Sequence, residues 1–174
     1  MNLFTETVLL QRIKLGDRGA AEKLIDAYYE QVYAFLFSFC KNKETAEDLT
    51  QETFIKVWNS LHGFSGASRA STWLYRIAYN TFIDWRRRQK TFYTLDERHD
   101  TPIDAVPFDD VAEKLFHNLR TLPEKQREVI VLHYQHDLTY GEIARILEIP
   151  QGTVKSRLNA ALESLRRSEI VKEL

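Results

Sequence analysis

The chain is 174 residues long, with 24 Lys and Arg against 25 Asp and Glu and a formal charge of −1. That length suits one domain or two small ones, and the balanced charge argues against an unaided, tight, nonspecific DNA binder, which is usually basic overall. The only cysteine, Cys40, rules out an internal disulfide; it lies in the apolar run FLFSFC and is expected as a buried core thiol. No stretch is long and apolar enough to span a membrane and no signal peptide opens the chain, so a reduced cytoplasmic protein without membrane insertion is expected.

Residues 5–90 are almost continuously helical in pattern, with breaks near Gly16-Asp17, Lys41-Asn42-Lys43 and Gly63–Ser71. From Ala46 onward, Leu49, Thr50, Thr53, Phe54, Val57, Trp58 and Leu61 fall on one inward face, leaving Asp48, Gln51, Glu52, Ile55 and Asn59 outside. An isoleucine among acids is either a lone surface residue or the centre of a docking patch for a basic partner helix. In the next helix Leu74, Ile77, Ala78, Thr81 and Trp85 form the inward stripe, and Arg76, Asn80, Ile83 and Arg87 share the far side. The loop before it carries small residues with Phe64, Ser68 and Arg69, a composition able to cradle an unstacked base and its phosphate. The plainer alternative makes Phe64 and Trp73 core residues and the loop a connection.

Charge is segregated beyond that point. Arg86, Arg87, Arg88 and Lys90 form a basic cluster, and Asp96, Glu97, Asp100, Asp104, Asp109 and Asp110 make the next segment acidic. Residues 92–110 also hold Pro102 and Pro107 without sustained periodicity, which predicts a flexible linker. Residues 111–174 read as helical again, with Pro123 in the first turn of a helix through Val129, Leu132 and His133. His133 and His136 stand three residues apart with no third ligand nearby, so they read as a surface pair and no metal is expected.

Residues 138–162 have the form of a helix-turn-helix. Thr139 and Glu142 make a capping box, Ile143, Ala144 and Leu147 an apolar stripe, and Glu148-Ile149-Pro150 a stop. Gly152 and Thr153 open the following helix, whose Val154, Leu158, Ala161 and Leu165 face inward. Its other side presents Gly152, Lys155, Ser156 and Asn159, flanked by Thr153 and Arg157. A helix entering the major groove needs small residues at its start, polar groups for base edges and cations for phosphates. Catalysis finds little support: there is no phosphate-binding glycine loop with a lysine, no serine-histidine or cysteine-histidine constellation can be argued from the sequence, and no cofactor is expected.

Four segments, AEDLTQETFIKVW (46–58), FSGASRASTWLYRIAYNTFIDWRRR (64–88), LPEKQREVIVLHY (122–134) and LTYGEIARIL…GTVKSRL (138–158), together resemble the extracytoplasmic-function group of sigma-70 family transcription initiation factors. The resemblance implies an all-α chain of two small helical domains: region 2 over 1–91, an acidic linker over 92–110, and region 4 over 111–174. It implies a dissociable factor that directs core RNA polymerase to promoters and helps melt them. Asp48, Gln51, Glu52 and Ile55 then match the docking surface for the clamp helices of the polymerase large subunit. Phe64, Ser68, Arg69, Arg76, Asn80 and Arg87 match the part that handles the melted −10 element. Gly152, Thr153, Lys155, Ser156, Arg157 and Asn159 match the reader of the −35 duplex. Factors of this kind are commonly held inactive by an anti-sigma protein. Gly141, where relatives usually carry an acid, and Asn159-Ala160-Ala161, commonly more basic, depart from the family pattern. Two other classes remain open on the residues alone: a conventional helix-turn-helix regulator that binds duplex DNA unaided, and a helical interaction adaptor whose basic faces only solvate it.

Overall fold

The computed structural model describes residues 3–64, 68–93 and 122–172. The chain divides into two compact units, residues 1–104 and 105–174. Every regular element among the described residues is helical.

The first unit contains α1 (Leu3–Lys14), α2 (Arg18–Cys40), α3 (Lys43–Ser60), a 3-10 turn (Leu61–Gly63) and α4 (Ala70–Tyr93). Its first two breaks fall where expected, each with a local cause. Gly16 takes φ +87°, a left-handed conformation that costs glycine little. Asp17 then caps α2, its carboxylate accepting from Ala20 N at 3.1 Å and pairing with Arg12 at 2.7 Å. The Ala20 N–H first, and Arg12 after it, hold the Asp17 carboxyl below its ordinary range. Lys41 closes α2 at φ 56°, and Asn42 Oδ1 caps α3 by accepting from Thr45 N at 2.8 Å.

The core of this unit lies where α2 packs against α1, α3 and α4. Leu24, Val32, Phe35, Leu36, Leu49, Val57, Leu74 and Ala78 are all buried within it. An aromatic ladder ties α2 to α4: Phe35 lies 4.7 Å from Tyr75, and Phe39 5.3 Å from Phe82 (ring centroids). Thr50 and Thr53 are fully buried, yet each hydroxyl donates to a carbonyl one turn back at 2.7 Å, so neither leaves an unmet polar group.

Several inward assignments are corrected. Trp58 is 48 % exposed, because it falls at the edge of the α3 stripe. Ile77 and Trp85 are half-buried, and Tyr75 and Phe82 take the inner positions on α4. Cys40 is half-buried rather than core, its thiol donating to Asn42 O at 3.4 Å; burial nevertheless pushes its pKa up. Helix α4 runs to Tyr93, two residues into the span read as linker, and 94–110 lies outside the described residues, as does 111–121.

The second unit contains α5 (Glu124–Ile130), a π-helical segment (Val131–Gln135), α6 (Tyr140–Leu147) and α7 (Gln151–Lys172). Helices α5 and α6 both pack on α7, around Val129, Leu132, Ile143, Ile146, Val154, Leu158 and Ala161. Pro123 stands just ahead of α5 rather than in its first turn, its carbonyl accepting from Gln126 N at 2.9 Å and Arg127 N at 3.0 Å. The helix expected through His133 widens into the π segment after Ile130. His133 is not a surface residue: it is half-buried, its Nδ1 is 2.8 Å from Leu138 O, and its ring lies 5.1 Å from Tyr140. In α6 the buried pair is Ile143 and Ile146, while Ala144 and Leu147 are half-buried, as is Leu165 on α7.

Candidate nucleic-acid and partner interfaces

Three exposed faces carry most of the residues singled out by sequence. On α3, Asp48, Gln51 and Ile55 project outward, with Ile55 63 % exposed. Trp58 joins them at 48 %, and the spacing 48, 51, 55, 58 puts all four on one stripe. Sequence reasoning missed Trp58; the three-four-three spacing was the available signal. Glu52 is already engaged. Its carboxylate pairs with Lys56 at 2.9 Å and with Arg88 of α4 at 3.3 Å, and Lys56 reaches Asp84 at 3.7 Å. Lys56 first, with Arg88 adding to it, holds the Glu52 carboxyl below its ordinary value. The basic cluster at the end of α4 is thus partly answered by acids of α3 and α4.

On α4, Arg76, Asn80 and Arg87 are exposed, and Arg69 is exposed just ahead of the helix. The spacing 69, 76, 80, 87 places them along one side of the α4 axis. Arg87 lies 3.9 Å from Asp84. Ser68 is half-buried. Phe64 departs from the expected open stacking surface: it is 7 % exposed, with its ring 4.7 Å from that of Trp73. The reason is hydrophobic burial, which covers two large rings against each other.

Two residues that sequence reasoning passed over hold this region. Glu6 of α1 is 5 % exposed and accepts from Ala70 N at 2.6 Å, the first residue of α4. Burial, and after it the charge and hydrogen bond of Glu6, drive the Tyr28 phenol well above its ordinary value, with Arg69 opposing. Lys14 donates to the carbonyl of Phe64 and stands 5.9 Å from its ring centroid.

On α7, Gly152, Lys155, Ser156 and Asn159 are exposed, with Thr153 and Arg157 half-buried beside them. The whole set expected there is brought onto one end of one helix. Its entry is fixed by the turn before it. The capping box is complete, with Thr139 Oγ1 accepting from Glu142 N at 3.3 Å and Thr139 N donating to Glu142 Oε2 at 2.9 Å. Glu148 ends α6 at φ 54°, and the Pro150 carbonyl accepts from Thr153 N at 2.9 Å to start α7. A side chain at Gly152 meets nothing within 4 Å, so packing does not demand glycine there. The Ser156 hydroxyl donates to Thr153 O at 3.0 Å, leaving its oxygen free to accept. Among the described residues no three His, Cys, Asp or Glu gather as a metal site, and no helix is long and apolar enough to cross a membrane.

Residues 24–92 match the sigma-70 region 2 family and residues 109–165 the sigma-70 region 4 family. The chain is 36 % identical to the ECF RNA polymerase sigma factor SigW of Bacillus subtilis, over 91 % of this chain and 93 % of that one. It is 30 % identical to the ECF RNA polymerase sigma-E factor of Haemophilus influenzae, over 92 % and 93 % of the two chains. Among solved structures it is similar to the sigma factor RpoE of Bartonella quintana, crystallised with the anti-sigma factor NepR, with a TM-score of 0.69, 25 % identity and 84 % and 94 % of the chains covered. Two region families matched in order, and relatives aligned over nearly their full length, place the chain in the extracytoplasmic-function group of sigma-70 factors, which direct RNA polymerase to promoters.

Proposed function

We propose that the two units divide promoter recognition between them: the first grips separated strands and the second reads intact duplex. Asp48, Gln51, Glu52 and Ile55, with Trp58 beside them, dock on the clamp helices of the polymerase large subunit. Arg69, Arg76, Asn80 and Arg87, with Ser68 at their start, contact the melted −10 strand. Phe64 supports that contact from beneath, packed on Trp73. Gly152, Thr153, Lys155, Ser156, Arg157 and Asn159 enter the major groove at the −35 element.

The observation that carries this reading is the pair of exposed polar stripes on α4 and α7, each inside a segment matched by its own sigma region. The energetics support it. DNA stacking is worth about 1.4 kcal/mol per step, so opening a few base pairs costs several kcal/mol. Trapping an extruded base and holding phosphates with arginines offsets that cost. The chain has little net charge to bind DNA alone, so the polymerase supplies the remaining contacts. It acts as a regulator in the cytoplasm, and bond-making stays with the polymerase. The RpoE complex with NepR supports a further reading, that an anti-sigma protein holds this chain inactive.

Run-off transcription with purified core polymerase tests the proposal. A promoter-dependent transcript, with unpaired bases near the start site by permanganate footprinting, is the expected result. Core binding without such a transcript refutes it. Tight operator binding by the protein alone in a gel shift favours an unaided duplex-binding regulator instead.

A further inference from the structure

We propose that α1 is a splint for the start of α4, and that Glu6 and Lys14 are positioning residues which set where Arg69 and the stripe behind it meet the separated strand. This rests on the reading of that stripe as the melted-strand contact. The starting point is the residue that precedes α4. Helix α4 begins at Ala70, and the residue ahead of it is Arg69, whose side chain has no acceptor to offer the first backbone N–H groups.

The acceptor comes instead from 64 residues earlier. Glu6 Oε1 takes the Ala70 N–H at 2.6 Å. A glutamate only 5 % exposed persists because the Ala70 N–H meets its carboxylate and because an acidic side chain suits a helix N-terminus. Eight residues along α1, roughly 12 Å of helix, Lys14 takes hold of the other end of the connection. It donates to the carbonyl of Phe64 and covers that ring at 5.9 Å. One helix thus holds Phe64 and Ala70, and Ser68 and Arg69 fall between them in sequence. Neither Glu6 nor Lys14 belongs to the exposed stripe, and α1 precedes the matched region 2 span of 24–92. Its service to α4 is positional.

The consequence is measurable in holoenzyme assembled from the full chain and purified core polymerase. The probe is a fluorescent single-stranded oligonucleotide carrying the −10 non-template sequence of a promoter that the holoenzyme selects from a randomised duplex library. Lys14→Met and Glu6→Ala are expected to weaken strand binding about tenfold, the scale of one lost charge-assisted hydrogen bond. Glu6→Gln, which keeps an acceptor, is expected to recover most of the loss. Polymerase co-purification and duplex −35 binding stay unchanged. Lys14 is exposed, so its variant folds even if Glu6→Ala does not. Arg69→Ala and Arg76→Ala run alongside. If they weaken strand binding while the α1 variants at full folding do not, the splint is overturned and the strand contact stands. If the arginine variants also bind normally, the strand contact itself is overturned, and the inference with it.

Discussion

Ile55→Ala is the cleanest probe of docking through α3. The side chain is 63 % exposed, so its removal leaves folding stability within about 0.5 kcal/mol. Complete burial of an isoleucine is worth about 1.5–3 kcal/mol. Roughly two thirds of that remains to be gained when a partner covers it. The expected loss on docking is therefore about 1–2 kcal/mol, a five- to thirtyfold rise in Kd. Glu52 is a less direct probe. Its pairs with Lys56 and Arg88 involve side chains at least a third exposed, so Glu52→Gln costs the fold well under about 1 kcal/mol. Glu52→Arg, by contrast, sets a third cation against Lys56 and Arg88 and mixes repulsion inside the unit with loss of a partner contact. Titration of immobilised core polymerase with wild type, Ile55→Ala and Glu52→Gln, each with a melting curve, separates the effects. A Kd change below twofold for Ile55→Ala at unchanged Tm refutes docking on this face.

The remaining expectations are narrower. Thr139→Ala removes the capping box and should cost the second unit about 1 kcal/mol; amide exchange should quicken across α6 while tryptophan fluorescence, confined to Trp58, Trp73 and Trp85 of the first unit, melts as before. Gly141→Ala should stabilise α6 by about 0.5–1 kcal/mol in denaturant melts, because the added Cβ meets nothing within 4 Å. Ser156→Ala should cost about 1–3 kcal/mol on the matched upstream element alone, whereas Lys155→Ala should weaken every sequence evenly and lower the salt slope by about 1; competition binding by the holoenzyme distinguishes them. Glu52 is lowered from its ordinary 4.5, so its contribution to stability is present above that value and fades as pH falls through the lowered one. The small stability difference between wild type and Glu52→Gln should therefore hold steady from about pH 7 to about pH 5.

Signals confined to one helical turn were legible in the sequence. The breaks at Gly16-Asp17 and Lys41-Asn42-Lys43 end helices because glycine or a left-handed residue stops one and a short polar side chain starts the next. The Thr139–Glu142 box and the outer face of α7 follow from spacing alone. Errors begin where a stripe has an edge. Trp58 lies about 100° from the centre of the α3 stripe, where hydrophobicity argues inward and geometry outward. The same ambiguity exchanged Ile146 for Ala144 and Leu147 on α6, and Tyr75 and Phe82 for Ile77 and Trp85 on α4. The π segment at Val131–Gln135 keeps ordinary helical composition, so nothing in the residues announces it.

The deepest omission has a different cause. An acidic residue in the first turn of α1 reads as a favourable charge on its own helix, a sufficient local explanation that hides any other. Its partner is fixed only when α1, α2 and α4 assemble, since the Ala70 N–H that Glu6 accepts lies 64 residues away. The sequence does carry the complementary sign, a helix start preceded by Arg69, whose side chain offers no acceptor. Unmet donors at a buried helix start must be satisfied somewhere. A helix start preceded by a side chain without an acceptor, beside a candidate binding loop, is therefore a reason to look for a distant carboxylate, and here it lies on the helix which also holds Phe64.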